Sequence, residues 1–191
     1  MAILRVPVEV SARHVHLSQK DLERLFGKGH RLRADHSLSQ PGQFAARETV
    51  SVIKGKKKFE HVRIVGPVRR NSQVELARTD ALHLGFDPPV HVSGSLANTP
   101  SLTLKGSRGS VKLLKGVIIP QRHIHASPLA AKKAGLRDRV VVSLKLEGTR
   151  ALTFHNVIVR VHPTFSWHCH IDTDEGNAAG IKKNTTAILI K

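Results

Sequence analysis

Short runs in which apolar and polar residues alternate dominate the chain. Val6-Pro7-Val8-Glu9-Val10 is the first, within a run from Ile3 to Val10. Others are Glu48 to Ile53, His61 to Gly66, Leu102 to Leu104, Ser110 to Leu114, Arg139 to Leu146 and Leu152 to Val161. A period of two puts alternate side chains on one face of a strand, and the β-branched content fits a pleated surface. Gly and Pro punctuate the runs at Gly42, Gly55, Gly66-Pro67, Pro88-Pro89, Gly94, Gly106, Gly109, Gly116 and Gly148. Helical signals are brief. Ser18 is placed to cap Gln19 to Phe26, with Leu22, Leu25 and Phe26 on one side. Ser127-Pro128 opens a second helix through Ala134, with Gly135 after its end. Thr79 to Gly85 predicts one more short turn of helix. Many short strands and few helices predict a mainly β fold of the barrel or sandwich kind.

The pattern repeats. Arg13-His14-Val15-His16-Leu17-Ser18 recurs as Arg122-His123-Ile124-His125-Ala126-Ser127, and each copy precedes a predicted helix and then strands. Farther on, Val62-Arg63-Ile64-Val65 aligns with Val157-Ile158-Val159-Arg160, and Gln73-Val74-Glu75-Leu76 with His168-Cys169-His170-Ile171. The offset is 109 residues at the histidines and 95 at the later strands, so the first copy carries fourteen extra residues, assigned to Gly27 to Arg47. Two similar, mostly β modules follow.

The repeated histidines are the main chemical signal. His14 and His16 stand at i and i+2. On an extended backbone both side chains share a face, about 6 to 7 Å apart at Cα. Two imidazoles there can converge on one metal ion, and His123 and His125 repeat the arrangement. The repeat alignment nominates matching third ligands, Glu75 in one module and His170 in the other. His168 shares a strand face with His170 and is a rival. Cys169 points to the opposite face. A single His-x-His is ordinarily a solvated strand. Two copies, each with a suitable third ligand in register, point to metal. The histidines at 30, 36, 61, 83, 91, 155 and 162 have no such pattern and read as surface or core residues.

Composition narrows the classes. The chain has 191 residues, 40% of them hydrophobic, which is enough for one large or two small domains with a packed core. Cys169 is the single cysteine, so neither an intrachain disulfide nor a cysteine-rich zinc finger is available, and a cytoplasmic setting fits. No apolar run reaches the roughly 18 residues that span a bilayer, and the N-terminus lacks the pattern of a signal peptide. The formal charge is +17, which attracts anions: nucleic acid, or a phosphate-rich small molecule. The basic runs at 54–58, 68–70 and 181–183 have no interleaved aromatic residues, which speaks against a base-stacking platform. Gly66-Pro67-Val68-Arg69-Arg70 puts arginines in a turn before Glu75, where one could hold an oxyanion. The acidic cluster Asp172 to Glu175 is either support for the histidines or the start of a helix. Dinucleotide, Walker and serine-hydrolase motifs are absent from the sequence.

Several separated segments resemble the PduL family of phosphate propanoyltransferases. They are Val10 to Ser18, Gly42 to Val50, Val65 to Arg70, Gln73 to Glu75, Thr79-Asp80, Arg122 to His125 and His170 to Ala178. The resemblance covers nearly the whole chain in order. It implies two tandem β-barrels capped by short helices, with residues 1–12 and 121–191 in one barrel and 13–120 in the other. It makes the insertion near 27–47 a small two-stranded excursion. It also implies two zinc ions near the barrel interface, one on His14, His16 and Glu75, the other on His123, His125 and His170, with Arg69 binding phosphate. The implied reaction exchanges the coenzyme A of a short acyl thioester for inorganic phosphate, with acyl-CoA and phosphate as substrates. Zinc would stabilise the carbonyl oxygen and the departing sulfur. A homodimer and a place inside a bacterial microcompartment accompany the family. Many members carry an N-terminal targeting extension, whereas this sequence begins almost directly with the first predicted strand, which leaves a cytosolic form or a trimmed chain open. Gly176 stands where the family usually has Ala. From the residues alone, a metal-dependent hydrolase of a thioester or phosphate ester stays open, as does a basic nucleic-acid-binding module. Cobalt, nickel and iron would also suit the ligands.

Overall fold

The computed structural model describes residues 3–191, so the first two residues of the segment 1–12 lie outside the described residues. The elements in chain order are β1 (Arg5–Ser11), β2 (His14–His16), α1 (Gln19–Phe26), β3 (Ala34–Ser37), β4 (Phe44–Lys54), β5 (Lys57–Gly66), β6 (Gln73–Glu75), α2 (Arg78–Leu84), β7 (Val90–His91), β8 (Leu102–Lys105), β9 (Ser110–Leu113) and β10 (Val117–Pro120). Then follow β11 (His123–Ala126), α3 (Pro128–Ala134), β12 (Val141–Leu146), β13 (Leu152–Val161), β14 (His168–Asp172), α4 (Thr173–Ala179) and β15 (Thr186–Ile190). The architecture is mainly β, as the alternation predicts.

The chain divides into two compact units. One holds the chain up to Ser11, Ser39–Pro41 and Gln121–Lys191; the other holds Ala12–Leu38 and Gly42–Pro120. In the first unit the strands close into a six-stranded barrel, β1-β14-β11-β13-β12-β15. In the second they form a curled nine-stranded sheet, β7-β10-β6-β2-β5-β4-β8-β9 with β3 added beside β4. Alternation fills each interior from one strand face. Val6 and Val8 of β1 and Val142, Leu144 and Leu146 of β12 enter the barrel core. Val50 and Val52 of β4 and Val62 and Ile64 of β5 enter the core of the sheet. Truncating a fully buried side chain such as Leu144 or Ile64 to Ala costs about 2 to 5 kcal/mol.

The duplication is visible hydrogen bond by hydrogen bond. β2 pairs in parallel with β5 and antiparallel with β6; β11 does the same with β13 and β14. His14 lies opposite Arg63 on one side and Glu75 on the other, and His123 lies opposite Ile158 and His170. The register therefore reproduces the sequence alignment of the repeats. A third neighbour completes each set. β6 takes β10 in parallel with Glu75 opposite Ile118, and β14 takes β1 in parallel with His170 opposite Glu9. Glu9 precedes His14 by five residues, as Ile118 precedes His123. These two residues are equivalent in the repeat, but β1 pairs in the barrel of the C-terminal half.

The helices follow their sequence signals. The Ser18 hydroxyl accepts from the Asp21 N–H, and the Ser127 hydroxyl accepts from Ala130 N–H. These bonds satisfy N–H groups that the first helical turn leaves over. The acidic cluster resolves as a helix start: Asp172 caps α4, and Glu175 reaches back to the Asp172 N–H in a capping box. Gly176 fills a close approach in that helix, because a Cβ there would lie 2.6 Å from Cγ2 of Val10.

The fourteen extra residues contain β3, which lies beside the start of β4 with Ser37 opposite Phe44. Buried Glu48 anchors this segment. It accepts from the Arg33 side chain at 2.8 Å, from the Arg33 N–H at 3.1 Å and from His30 Nε2 at 3.1 Å. Strand limits differ from the periodicity where pairing extends them. β4 starts at Phe44 because β3 pairs there, and β5 starts at Lys57 because Gly55, at φ 59°, closes a hairpin. The short strands β7, β10 and β15 carry no long alternation of their own and are defined by their neighbours.

Candidate functional site

Each His-x-His pair sits on a short buried strand. Extended backbone puts both rings on one face, and neighbouring strands fix what faces them. His14, His16 and Glu75 offer ligand atoms that all lie within 4.8 Å of one another, and so do His123, His125 and His170. His168, the rival third ligand, is outside that second group. It lies opposite His125 on the ladder, and its Nε2 is 3.9 Å from Glu9 Oε1.

Backbone carbonyls set the tautomers. A carbonyl oxygen only accepts, so the ring nitrogen bonded to it carries the proton. His14 Nδ1 lies 2.9 Å from the Ala12 carbonyl, and His16 Nδ1 lies 3.0 Å from that of Val65. Both Nε2 atoms are then lone-pair acceptors, yet they face each other at 3.2 Å. Glu75 completes the triangle, 3.6 Å from His14 Nε2 and 3.7 Å from His16 Nε2. Three converging electron pairs repel unless a cation lies between them. Ligand bonds of 2.0 to 2.1 Å in a tetrahedral set give ligand–ligand separations of about 3.3 Å. The geometry and the donor types therefore fit a zinc-like ion. Burial lowers the pKa of His16 well below the usual imidazole value, helped by His14 and Arg69. The ring is thus neutral and ready to ligate at pH 7.

Glu75 is held as an anion. Burial by itself would raise its pKa, but the adjacent His14 and His16 rings, the Arg69 guanidinium and a hydrogen bond from Ser93 outweigh it. Ser93 donates to Glu75 at 2.7 Å, and the Gln73 side-chain amide also donates to it. Arg69 Nη1 donates to Ser93 Oγ at 3.0 Å. The Arg69 N–H is bonded to the Leu17 carbonyl at 2.8 Å, which fixes the turn beside β2. Ser93 and Gln73 were not legible as site residues. Ser93 lies in a loop without periodicity, and Gln73 is marked by its alignment with His168 alone.

In the barrel, His123 Nδ1 lies 2.8 Å from the Gln121 carbonyl, repeating the bond of His14 to Ala12. The His125 ring contacts Phe165, with centroids 4.1 Å apart. His170 is different. Its Nε2 lies 3.1 Å from Glu9 Oε2, which also accepts from the Ser39 hydroxyl. The hydrogen bond from His170 is the largest influence on Glu9 and holds its carboxyl at about 2. Neither Glu9 nor Ser39 carried a sequence signal, since both are far from His170 along the chain. Cys169 points away from this cluster into the barrel core and is fully buried, and burial pushes its thiol pKa far above the ordinary range.

An arginine precedes each histidine pair and clamps the helix that follows the third residue of each group. Arg13 donates to Asp80 at 2.6 and 3.0 Å, and Arg122 makes the matching contact with Glu175 at 2.5 Å. Asp80 and Glu175 both occupy the third position of their helices.

Comparison with known proteins gives the family of the chain. A family model described as phosphate propanoyltransferase matches residues 7–182. A phosphate propanoyltransferase of Thermotoga maritima is 46% identical over 96% of this chain and 88% of its own length. One from Lachnoclostridium phytofermentans is 48% identical over 92% of this chain and 83% of its own length. One from Salmonella typhimurium is 47% identical over the same shares. With residues 7–182 matched and such identity along almost its full length, the chain belongs to the phosphate propanoyltransferase family and is a phosphate acyltransferase.

Proposed function

We propose that the protein exchanges the coenzyme A of a short acyl thioester, propanoyl-CoA or acetyl-CoA, for inorganic phosphate, and that it works with two zinc ions. The observation that carries this reading is the pair of three-ligand groups, His14–His16–Glu75 and His123–His125–His170, in a chain of this family. In the reaction a phosphate oxygen attacks the thioester carbonyl carbon. A C–O bond forms, the C–S bond breaks, and coenzyme A leaves as its thiolate. Zinc on these residues would supply Lewis acidity for the oxygen and affinity for the sulfur.

The residues of the chain supply the rest. Arg69 holds phosphate through its planar fork of N–H donors, turning a two-body encounter into a positioned one. Ser93 links Arg69 to Glu75, so the phosphate-holding group and the anionic ligand are set by one hydroxyl. No protein nucleophile is needed, and Cys169 is buried on the opposite face of its strand. The basic surface draws in two polyanionic substrates.

The test mixes propanoyl-CoA and phosphate with metal-intact protein and follows free thiol and acyl phosphate together. The expected result is thiol release that requires phosphate, matches the acyl phosphate formed and stops with a chelator. Thiol release without phosphate, with free propanoate as the product, would overturn the transferase reading in favour of a hydrolase.

A further inference from the structure

His170 breaks a rule that three other histidines of the two groups obey. His14, His16 and His123 each give Nδ1–H to a backbone carbonyl and keep Nε2 for a metal. At His170 it is Nε2 that meets an acceptor, the Glu9 carboxylate at 3.1 Å. A neutral imidazole has one donor and one acceptor nitrogen, so Nδ1 is the nitrogen left to ligate. The contact is built into the fold. Glu9 and His170 are direct partners on the parallel β1–β14 ladder. Ser39 donates to the same Glu9 oxygen at 2.5 Å, with its own oxygen 3.4 Å from His170 Nε2. Ser39 is held in turn by Gln40, which is buried. The Gln40 side chain donates to the Ser166 carbonyl at 3.3 Å and accepts from the Ser166 N–H at 3.1 Å. The equivalent residue beside Glu75 is Ile118, which can neither accept nor donate through its side chain.

We propose that Glu9, steadied by Ser39, is a positioning residue that fixes His170 in the tautomer offering Nδ1 to a metal held with His123 and His125. This rests on the reading of those three histidines as a metal centre. A carboxylate that takes the outer N–H of a ligating imidazole orients the ring and raises its basicity. Glu75 needs no such partner, because it ligates through an oxygen that is already anionic. The acid therefore stands beside the third ligand only where that ligand is a neutral ring.

The test uses the full chain carrying His14→Ala, so that the three-histidine centre is the one left to titrate, with Zn2+ alone as the probe. Glu9→Ala is expected to weaken Zn2+ binding by about 10- to 100-fold. Glu9→Gln keeps a carbonyl acceptor and is expected to recover part of the loss. Ser39→Ala is expected to lose less than Glu9→Ala. In 15N spectra of the Zn2+-loaded parent, His170 Nε2 keeps its proton while His123 keeps its proton on Nδ1. A properly folded Glu9→Ala chain that binds Zn2+ within twofold of the parent would overturn the positioning role alone. So would loss of the His170 Nε2 proton on loading, which would make Glu9 a stand-in that the metal displaces. Absence of Zn2+ binding by the folded parent would overturn the metal centre, and the proposal with it.

Discussion

The two units carry matching three-residue groups that could hold a metal and that differ by one charge. Each places a His-x-His pair on a central strand, holds the first ring by a carbonyl two residues earlier, and brings a third candidate ligand from the antiparallel neighbour. In the curled sheet that ligand is Glu75, so a divalent ion there would keep one unit of positive charge. In the barrel it is His170, and such an ion would keep both. The group in the curled sheet also has Arg69 close by, joined to Glu75 through the Ser93 hydroxyl, and under the proposed mechanism that cation would serve phosphate. The surroundings differ to match. Glu75 is wrapped by donors from Ser93 and Gln73 and faces Ile118, whereas His170 faces the acceptor Glu9. The duplicated scaffold thus presents two different donor sets by changing one residue and the side chain beside it.

If both centres are needed, breaking either one should be equally damaging. His14→Ala and His125→Ala are each expected to lose one metal equivalent of the two and to lower activity by about 10³-fold or more, since a Lewis acid is worth several kcal/mol of transition-state stabilisation. Metal content by elemental analysis, with activity on the same sample, checks this. A variant that keeps most of its activity would mark its centre as structural.

The next largest effect separates the roles of the two centres. Arg69→Ala is expected to raise the KM for phosphate by about tenfold or more, with unchanged metal content and little change in the KM for acyl-CoA. Normal phosphate saturation would remove Arg69 from that role and weaken the contrast drawn above.

The clamps should differ less, because both copies keep them. Arg13→Ala and Arg122→Ala each remove the cationic partner of an acid at a helix start. Each is expected to cost roughly 1 to 3 kcal/mol in denaturant unfolding, the value for hydrogen bonds to charged groups. Arg122→Ala should cost more, since its pair is less exposed overall: 28% and 17% of the side chains, against 42% and 8% for Arg13 and Asp80. An equal or reversed order would show that burial of the acid alone decides the cost. The smallest effect is expected at Cys169. Cys169→Ala should leave turnover within about twofold, with a cost in stability for the buried sulfur site, and the native thiol should resist alkylation until the chain unfolds. Loss of turnover with the fold intact would restore a covalent route.

Much of this was readable before any fold was known, for reasons that differ by residue. His14, His16, His123 and His125 were visible because a period of two is a local property of strands, and repetition raised the pattern above chance. Glu75 and His170 were visible because the repeats align without gaps past their last common strand, and the ladder registers agree. The acidic cluster was ambiguous. Capping and support of a ligand use the same residue types, and the bonds of Asp172 and Glu175 at α4 decided for the cap.

Amino-acid order by itself determined the mainly β class, the duplication and the two histidine pairs, because each rests on spacing between near neighbours. The family resemblance, and no periodicity, implied which unit takes β1; tertiary structure alone decided that the barrel closes while its copy stays a curled sheet, and that Glu9 and Ser39 meet at His170. Those outcomes depend on pairing between strands more than a hundred residues apart. No local periodicity encodes such a partner, and a carboxylate five residues before one histidine gives no sign that it will serve another.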